Sequence, residues 1–358
     1  MNKVRYAIVG AGWISQEALM PSVAQVENAE MTAIVTGNSD TATKLANFYG
    51  IKTVCDYDGY DALLASDVID AVYIALPNSM HADFAIRAMN AGKHALVEKP
   101  LAISVAECEV MIAAAKTNDV HLMTAYRLHF EPMTVELLER IRAGEIGEAK
   151  HFSSVFGFQT PDTNHRLKRT HWGGPLQDIG IYCLNAARNI FEDEPIEAQA
   201  VRVHGNGDPR FAEVEGSIAV TLRFPRDRLA QFTVSFEIGD IDSYCVLGST
   251  GVIEVEKSYD FRTTPEIAIV KGGQKEHLPV QDSDQFGGLL AYFTDCILTN
   301  TPPSADGGEG MADIIAMLAI EKAVETGKAQ PIKARSPTKR PSPETKRIIP
   351  RTDRRLVL

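Results

Sequence analysis

Residues 4–15 read VRYAIVGAGWIS, a short apolar run that passes through two glycines into a helical pattern. The spacing is G-x-G-x-x-G with serine in the last position. Gly10 permits a tight turn, Gly12 lets a pyrophosphate approach the backbone at a helix N-terminus, and Ser15 is small enough for close packing. A strand before the glycines and a helix after them are the context in which this motif indicates dinucleotide binding.

Strand and helix patterns alternate from this motif to about residue 125. Apolar runs typical of buried strands occupy residues 31–35, 70–76, 94–97 and 121–125, with helical patterns at 81–91 and 101–118. A strand, a helix and a second strand at this spacing form a right-handed βαβ unit. The α/β pattern of residues 1–125 therefore predicts a Rossmann domain, a doubly wound parallel sheet that binds a dinucleotide.

The pattern changes after residue 125, where short strands follow one another with few helices. Alternation such as Ile218, Val220 and Leu222 is typical of a sheet with one covered face. Strands are predicted at about 149–158, 198–204, 216–224, 230–236, 243–247 and 251–255, and helices at about 136–143, 179–191, 284–299 and 307–326. Residues 126–330 are predicted to form a substrate-binding and oligomerisation α+β domain with a large open, mainly antiparallel sheet.

Residues 331–358 differ in composition from the rest of the chain. They hold five prolines and nine Lys or Arg against two Asp or Glu, within a chain whose formal net charge is −11. This segment is predicted to be a basic, Pro-rich extended tail, because so many prolines exclude a long helix.

The overall composition excludes several classes of function. An acidic chain with 45% hydrophobic residues argues against nucleic-acid binding. No apolar run reaches the roughly 18 residues of a membrane span, and the early first strand leaves no room for a leader, so a cytoplasmic protein without membrane association is expected. Five scattered cysteines without a C-x-x-C pair predict reduced thiols and no metal site.

The loop after the second strand bears on the choice of cofactor. It reads Thr36, Gly37, Asn38, Ser39 and lacks the usual acidic residue for the ribose hydroxyls. A small neutral loop with a nearby cation accepts a 2′-phosphate, and Lys44 is one turn into the next helix. Asp40 counts against this interpretation unless it caps that helix. NADP is predicted, with NAD as the alternative.

A second informative stretch is His94-Ala95-Leu96-Val97-Glu98-Lys99-Pro100-Leu101, where an apolar strand ends in a carboxylate, an amine and a proline. Ligands of open parallel sheets bind outside the carboxyl ends of the strands. A lysine at this point would face both a cofactor and its reaction partner. The alternative is a strand that ends in a solvated Lys-Pro turn.

A third stretch, residues 173–182, begins with two glycines and a proline and continues as a helix. Asp178 and Tyr182 are spaced i, i+4 and so share one face of that helix. They form either a local hydrogen bond or, together with Lys99, a proton-transfer site. A neighbouring ammonium favours the ionised form of a phenol, whose ordinary pKa near 10 makes it a poor base.

At these residues the chain resembles the Gfo/Idh/MocA family of NAD(P)-dependent oxidoreductases. The resemblance covers roughly residues 4–330 and rests on AIVGAGWIS, VEKPLA, AYRLHFEP, GGPLQDIGIYCLNAARNIF, GSTGVIEV and EGMADIIAMLAIEKAVETGKAQPI. The glycine loop is generic, whereas EKP and the Asp-x-x-x-Tyr pair are specific. Many members carry histidine where this chain has Tyr182, so the tyrosine favours the glucose–fructose oxidoreductase and aldose dehydrogenase branch.

The resemblance implies a function and a set of site residues. Lys99, Asp178 and Tyr182 would be catalytic, and hydride would pass between NADP and a sugar C1 or a related cyclic polyol. The predicted cofactor-binding residues are Gly10, Gly12, Trp13, Ile14, Thr36, Gly37, Asn38, Ser39, Lys44, Pro77, Asn78, His81, Glu98, Lys99 and Arg127. A homodimer or homotetramer through the second-domain sheet is expected, since large apolar faces are rare on monomers.

Two other functions fit parts of the pattern. A dihydrodiol or ketose reductase would use the same catalytic set. A non-catalytic NAD(P)-binding regulator would share the fold, but the intact Lys99, Asp178 and Tyr182 argue against it. Neither the sugar nor the physiological direction follows from the sequence.

Overall fold

The computed structural model describes residues 3–333 and 339–358, so part of the predicted tail, residues 334–338, lies outside the described residues. The chain divides into two compact units. The first comprises Met1–Pro132, Asp282–Gly310 and Pro343–Leu358, and the second comprises Met133–Gln281 and Met311–Ser342. Each unit has its own sheet and its own core.

The first unit is built on a six-stranded parallel sheet. Its strands are β1 (Val4–Val9), β2 (Ala29–Val35), β3 (Thr53–Cys55), β4 (Ala71–Ile74), β5 (His94–Val97) and β6 (Leu122–Thr124). The helices between them are α1 (Met20–Val23), α2 (Ser39–Tyr49), α3 (Tyr60–Leu64), α4 (His81–Asn90) and α5 (Val105–Thr117), and a wide helical turn at Ser15–Leu19 leads into α1.

The strand order of this sheet is β3-β2-β1-β4-β5-β6, which confirms the predicted Rossmann domain. β1 pairs in parallel with β2 on one side and with β4 on the other. The chain therefore reverses its direction of winding between β1 and β4, and a crevice opens there at the carboxyl ends of the strands. Ala7, Ile8 and Val9 have no exposed surface, as expected for a strand covered on both faces.

The remaining elements follow in chain order. They are α6 (Pro132–Arg142), β7 (Ala149–Gly157), α7 (Ile181–Phe191), β8 (Glu197–Val203), β9 (Ser217–Phe224), β10 (Arg228–Ser235), β11 (Ile241–Gly248), β12 (Val252–Glu256), β13 (Glu266–Lys271), β14 (Gln274–Leu278), α8 (Gln285–Thr299), α9 (Gly307–Thr326) and β15 (Gln330–Pro331). Helix α8 belongs to the first unit.

The second unit is built on a nine-stranded sheet in the order β14-β13-β12-β11-β7-β10-β9-β8-β15. Every pairing among these strands is antiparallel except that of β7 with β10. The predicted large, mainly antiparallel sheet is thus confirmed.

One face of this sheet is buried and the other is exposed, as the alternation along β9 and β10 predicted. Ile218, Val220 and Leu222 are buried, while Ala219 between them is exposed. Helix α7 packs on β7, and Gly180 before it lies against Val234 and Phe232 of β10. The buried face therefore carries α7, which holds Tyr182, and the helical turn before it, which holds Asp178.

The structure divides the chain differently from the sequence boundaries. Helix α8 and residues 343–358 group with the first unit, although α8 was expected in the second domain and the tail was expected to be separate. The hairpin of β13 and β14 was not predicted at all. Its turn, Gly272-Gly273, has both φ angles positive, and this glycine pair was the available signal. None of the helices described is both long and apolar enough to cross a membrane.

A buried charge network holds the second unit together. Arg188 of α7 has no exposed surface and donates to Glu194 (Nε to Oε2, 2.6 Å) and to Asp313 of α9 (Nη1 to Oδ1, 2.7 Å). Arg340 adds a bond to Glu194 (3.0 Å) and one to the Arg188 carbonyl (2.9 Å). The carboxylates of Glu194 and Asp313 thus lie in the core beside arginine cations, at a place where water cannot take over the role of these ion pairs.

Replacing Arg188 by Met should destabilise the second unit, because it leaves Glu194 and Asp313 buried with less compensating charge. Such a loss typically costs about 3–5 kcal/mol, or roughly 6–20 °C in Tm for a unit of this size. The matched control is Arg223→Met, whose ion pair with Glu197 is exposed and typically worth less than about 1 kcal/mol. Equal melting temperatures for the two variants would contradict the role given to Arg188.

Candidate functional site

The turn after β1 accepts only glycine at its first position. Gly10 has φ +94°, and an added Cβ would lie 2.4 Å from the Ala75 carbonyl oxygen. Ser15 is fully buried and its hydroxyl donates to the Gly10 carbonyl (2.6 Å). The small residues of the motif therefore close the turn against the end of β4 and fix where the following helix begins.

Gly12 lies in a different environment from Gly10. An added Cβ at Gly12 would meet nothing within 4 Å, and Gly12 and Trp13 are exposed. Helical structure begins at Trp13 and Ile14, directly after Gly12, and runs through Ser15–Leu19 into α1. A glycine before a helix N-terminus, with open space on its outer side, fits the close approach of a pyrophosphate.

The loop after β2 ends in a capped helix. Asn38 is the N-cap of α2, because its side-chain oxygen accepts from the Thr41 N–H (3.0 Å). Asp40 is in the first turn of α2 and does not cap the helix. Its negative charge therefore still counts against the binding of a 2′-phosphate. Thr36 is buried, whereas Gly37, Ser39 and Lys44 are exposed.

The turns after β4 and β5 are tied together by His81. Its ring is buried, with Nδ1 2.8 Å from the Pro100 carbonyl oxygen and Nε2 2.9 Å from that of Leu76. The predicted segment Pro77-Asn78 lies directly after Leu76 and is half-buried. His81 therefore acts on this region by fixing two backbone turns.

Glu98 and Lys99 follow the end of β5. Glu98 is buried and accepts from the Tyr73 hydroxyl (2.7 Å) and from the Lys99 N–H (3.2 Å). Burial raises the pKa of Glu98, and the charge of Lys99 opposes that rise. Lys99 is half-buried, and its peptide bond to Pro100 is cis. The strand end thus presents an amine beside a largely dehydrated carboxyl group.

Arg127 lies in the turn after β6 and is 3% exposed. Its guanidinium donates to the side chain of Gln285 and lies over the Phe286 ring, 5.9 Å from the ring centre. These contacts fix the position of its charge within the first unit.

In the second unit, Asp178 and Tyr182 occupy the start of the α7 region. A wide helical turn at Leu176–Gly180 precedes α7, where a regular helix was expected. The Asp178 carboxylate pairs with Arg166 (Oδ2 to Nε, 2.9 Å) and is mostly buried. Sequence reasoning missed Arg166, although it stands in the basic run just before the two glycines.

Tyr182 belongs to an aromatic cluster on the covered face of the sheet. Its ring centre is 6.0 Å from that of Phe156 and 5.8 Å from that of Tyr259. Tyr259 is buried, and its hydroxyl lies 3.0 Å from that of Ser154. Burial raises the pKa of Tyr259 well above the ordinary value. Tyr182 is the more exposed of these two phenols.

Glu321 of α9 holds the two ends of the glycine turn that precedes Asp178. Its Oε1 accepts from Trp172 (Nε1, 2.9 Å) and from Gln177 (Nε2, 2.6 Å). Burial raises the pKa of Glu321 to about 7, against the effect of the Trp172 hydrogen bond. Sequence reasoning missed this residue, because it lies about 140 positions away from the turn it supports.

The structure brings the predicted residues together in two groups. In the first unit, the segments after β1, β2, β4, β5 and β6 lie at the carboxyl edge of one parallel sheet, since all these strands run the same way. In the second unit, Asp178 and Tyr182 share one helical segment. Among the residues described, no group of three His, Cys, Asp or Glu could hold a metal ion.

Comparison with known proteins matches both parts of the chain to family models. Residues 4–126 match the "Oxidoreductase family, NAD-binding Rossmann fold" (GFO_IDH_MocA), and residues 134–254 match the "GFO/IDH/MocA C-terminal domain". The NADP-dependent D-xylose 1-dehydrogenase of Haloarcula marismortui is 31% identical over 337 residues, which cover 91% of this chain and 92% of that protein.

Solved structures agree with these matches. The aldose-aldose oxidoreductase from Caulobacter crescentus, complexed with glycerol, superposes with a TM-score of 0.88 at 33% identity, covering 92% of this chain and all of that one. A 3-ketoreductase from Actinomadura kijaniata, in complex with NADP and TDP-benzene, gives a TM-score of 0.83 at 26% identity, covering 90% and 98%.

The raised pKa of Glu321 predicts how stability depends on pH. The folded protein keeps the Glu321 proton up to about pH 7, whereas the unfolded chain loses it near pH 4.5. The contribution of this proton to the free energy of unfolding is therefore fully present below about pH 4.5 and is lost as the pH rises through 7. Glu321→Gln should melt with the wild type at pH 5 and about 3–8 °C above it at pH 8. Glu276→Gln, at an exposed strand position, is the control and should follow the wild type throughout. A variant that melts below the wild type at pH 8 would refute this account.

Proposed function

This chain belongs to the GFO/IDH/MocA family of oxidoreductases, and we propose that it transfers hydride between NADP and a sugar. The relatives named above are a D-xylose 1-dehydrogenase, an aldose-aldose oxidoreductase and a 3-ketoreductase. An aldose oxidised at C1, with a lactone as the product, is the substrate class that we favour. In this proposal the first unit binds the dinucleotide and the second binds the sugar.

The observation that carries the proposal is the contrast between Gly10 and Gly12. Glycine is required at position 10 by packing against Ala75, but a Cβ added at Gly12 would meet none of the described residues within 4 Å. A glycine with open space beyond it, at the switch point of a parallel sheet, supports a cofactor pyrophosphate at this position. The exposed loop Gly37–Ser39 and Lys44 support a 2′-phosphate, with Asp40 as the opposing charge.

We assign the proton chemistry to Lys99, Asp178 and Tyr182. Bound NADP+ supplies the hydride acceptor when the sugar is oxidised. The Tyr182 phenolate oxygen takes the proton of the reacting hydroxyl and becomes a phenol, and the Lys99 ammonium donates a hydrogen bond to the sugar oxygen. Asp178, which is paired with Arg166, accepts from a neighbouring sugar hydroxyl and so orients the ring.

Replacing Tyr182 by Phe should lower kcat by roughly 10²–10⁴-fold, the usual contribution of a general acid or base. Binding of NADPH should not change, because the cofactor contacts lie on other residues. Lys99→Ala should lose at least as much activity. If Lys99 and Tyr182 act as a unit, the kcat of the double variant should be only slightly below that of the less active single variant.

The matched control is Tyr259→Phe, which removes a buried phenol from the same aromatic cluster. It should keep kcat within a few fold of the wild type in a substrate panel followed by nicotinamide absorbance. If Tyr182→Phe retains most of its kcat, the proton acceptor is another group. If the wild type binds NADPH without turnover of any sugar or polyol, the chain is a sensor and the proposed reaction is wrong.

We further propose that the exposed face of the nine-stranded sheet pairs two copies of the chain. Val201 is 70% and Val203 is 54% exposed, and the groove beside them is lined by Gln199, Thr221 and Gln231. Apolar and small uncharged side chains on a broad sheet face suit a self-complementary interface.

Light scattering at micromolar concentration should therefore give at least the mass of a dimer. Val201→Arg should shift the mass toward the monomer, because it places two charges in a two-fold interface. Val54→Arg, on the exposed edge strand of the first unit, is the matched control and should leave the mass unchanged. A monomeric wild type would exclude this interface.

A further inference from the structure

Residues 343–358 are fixed to the first unit along the start of α8. The Asp284 N–H donates to the Ile349 carbonyl (2.8 Å), and the Ile349 N–H donates to the Ser283 hydroxyl (3.2 Å). An added Cβ at Gly287 would lie 2.6 Å from the Ile349 side chain, so the segment packs directly on the helix backbone. Arg347 pairs with Asp295 further along the same helix (2.9 Å).

The last residues then reach two helices that flank the predicted cofactor crevice. Arg354 lies over the Phe48 ring near the end of α2, 5.6 Å from the ring centre. Arg355 pairs with Glu17 in the helical turn after the glycine motif (3.4 Å). The Leu358 N–H donates to the side-chain oxygen of Gln16 (2.7 Å). The side chain of Leu358 is 53% exposed, so its backbone makes the contact.

Gln16 connects this contact to the glycine-rich turn. Its side chain is buried, and its Nε2 donates to the Ala11 carbonyl (2.7 Å) while its oxygen accepts from Leu358. The bond from Leu358 thus fixes which end of the amide faces Ala11. With the amide reversed, two oxygens would face each other at Ala11 and two N–H groups would face each other at Leu358.

The direction of one backbone donor follows from this arrangement. In a trans peptide the carbonyl and the next N–H point in opposite directions. Because the Ala11 carbonyl is held toward Gln16, the Gly12 N–H is directed away from it. Gly12 is the residue with open space on its outer side. Its N–H is therefore available to an anion that approaches the turn.

We infer that residues 354–358 are a positioning element of the cofactor site, which slows release of NADP by holding Gln16 against the Ala11 carbonyl. The inference rests on the proposed function, since NADP is the anion concerned. The tail acts through Gln16 and does not itself enter the reaction. Its loss should raise the dissociation rate and KM for NADP and leave kcat for the sugar nearly unchanged.

The test compares two substitutions at the same residue in the full chain. Leu358→Pro removes the N–H donor, whereas Leu358→Ala keeps it and removes the exposed side chain. Release of NADPH is measured by stopped-flow displacement, with KM for NADP and kcat for the sugar measured in parallel. We expect Leu358→Pro to release NADPH about three- to tenfold faster, in line with the loss of one hydrogen bond, and Leu358→Ala to stay within about twofold of wild type.

A charge exchange gives an independent readout. Arg355→Glu and Glu17→Arg should each speed release, and the double exchange should restore most of the wild-type rate because the pair is re-formed with reversed signs. A purely structural role for the tail would lower Tm without this rescue.

The outcomes separate the two proposals. NADPH release at the wild-type rate in Leu358→Pro, or equal acceleration in Leu358→Ala, would overturn this inference and leave the proposed function intact. A wild type that does not bind NADPH at all would overturn both.

Discussion

The close contact between Gly10 and the Ala75 carbonyl is the constraint on which the first unit depends. No side chain fits at this point, because a Cβ would lie 2.4 Å from the oxygen. The contact brings the end of β1 against the end of β4, where the winding of the sheet reverses. Every segment assigned to the cofactor follows a strand that ends at this same edge. The steric need for glycine at one position thus fixes the edge of the sheet at which we propose that the dinucleotide binds.

Charge inside the protein is stabilised by pairing. Arg188 satisfies two carboxylates in the core of the second unit, and Asp178 is paired with Arg166. Glu98 and Glu321 differ, because burial raises the pKa of each, and the charge of Lys99 at Glu98 or the Trp172 hydrogen bond at Glu321 only partly offsets that effect. Glu98 comes directly before Lys99, and Glu321 accepts hydrogen bonds from the two ends of the turn that leads to Asp178, so both acids stand beside segments proposed for the reaction.

The sequence was most informative where local chemistry determines the structure. The structure contains what was predicted from the glycine motif, from the strand that ends just before Glu98 and from the alternation along β9 and β10. The β13–β14 hairpin was missed because most of β14 is exposed, so its pattern carries no apolar signal. The placement of α8 and the support of the 173–174 turn by Glu321 depend on contacts between distant parts of the chain, which periodicity cannot reveal. The position of residues 343–358 was unpredictable for the same reason, since their partners, such as Asp284, Asp295 and Glu17, lie far away in the sequence.

The central claim is that hydride passes directly between a sugar carbon and NADP on this protein. The most direct test incubates the purified chain with NADP+ and an aldose deuterated at C1, and determines the mass of the reduced cofactor and of the sugar product. The account predicts that the cofactor gains one deuterium for each molecule of lactone formed. Reduced cofactor without deuterium, or lactone formed without reduced cofactor, would contradict it.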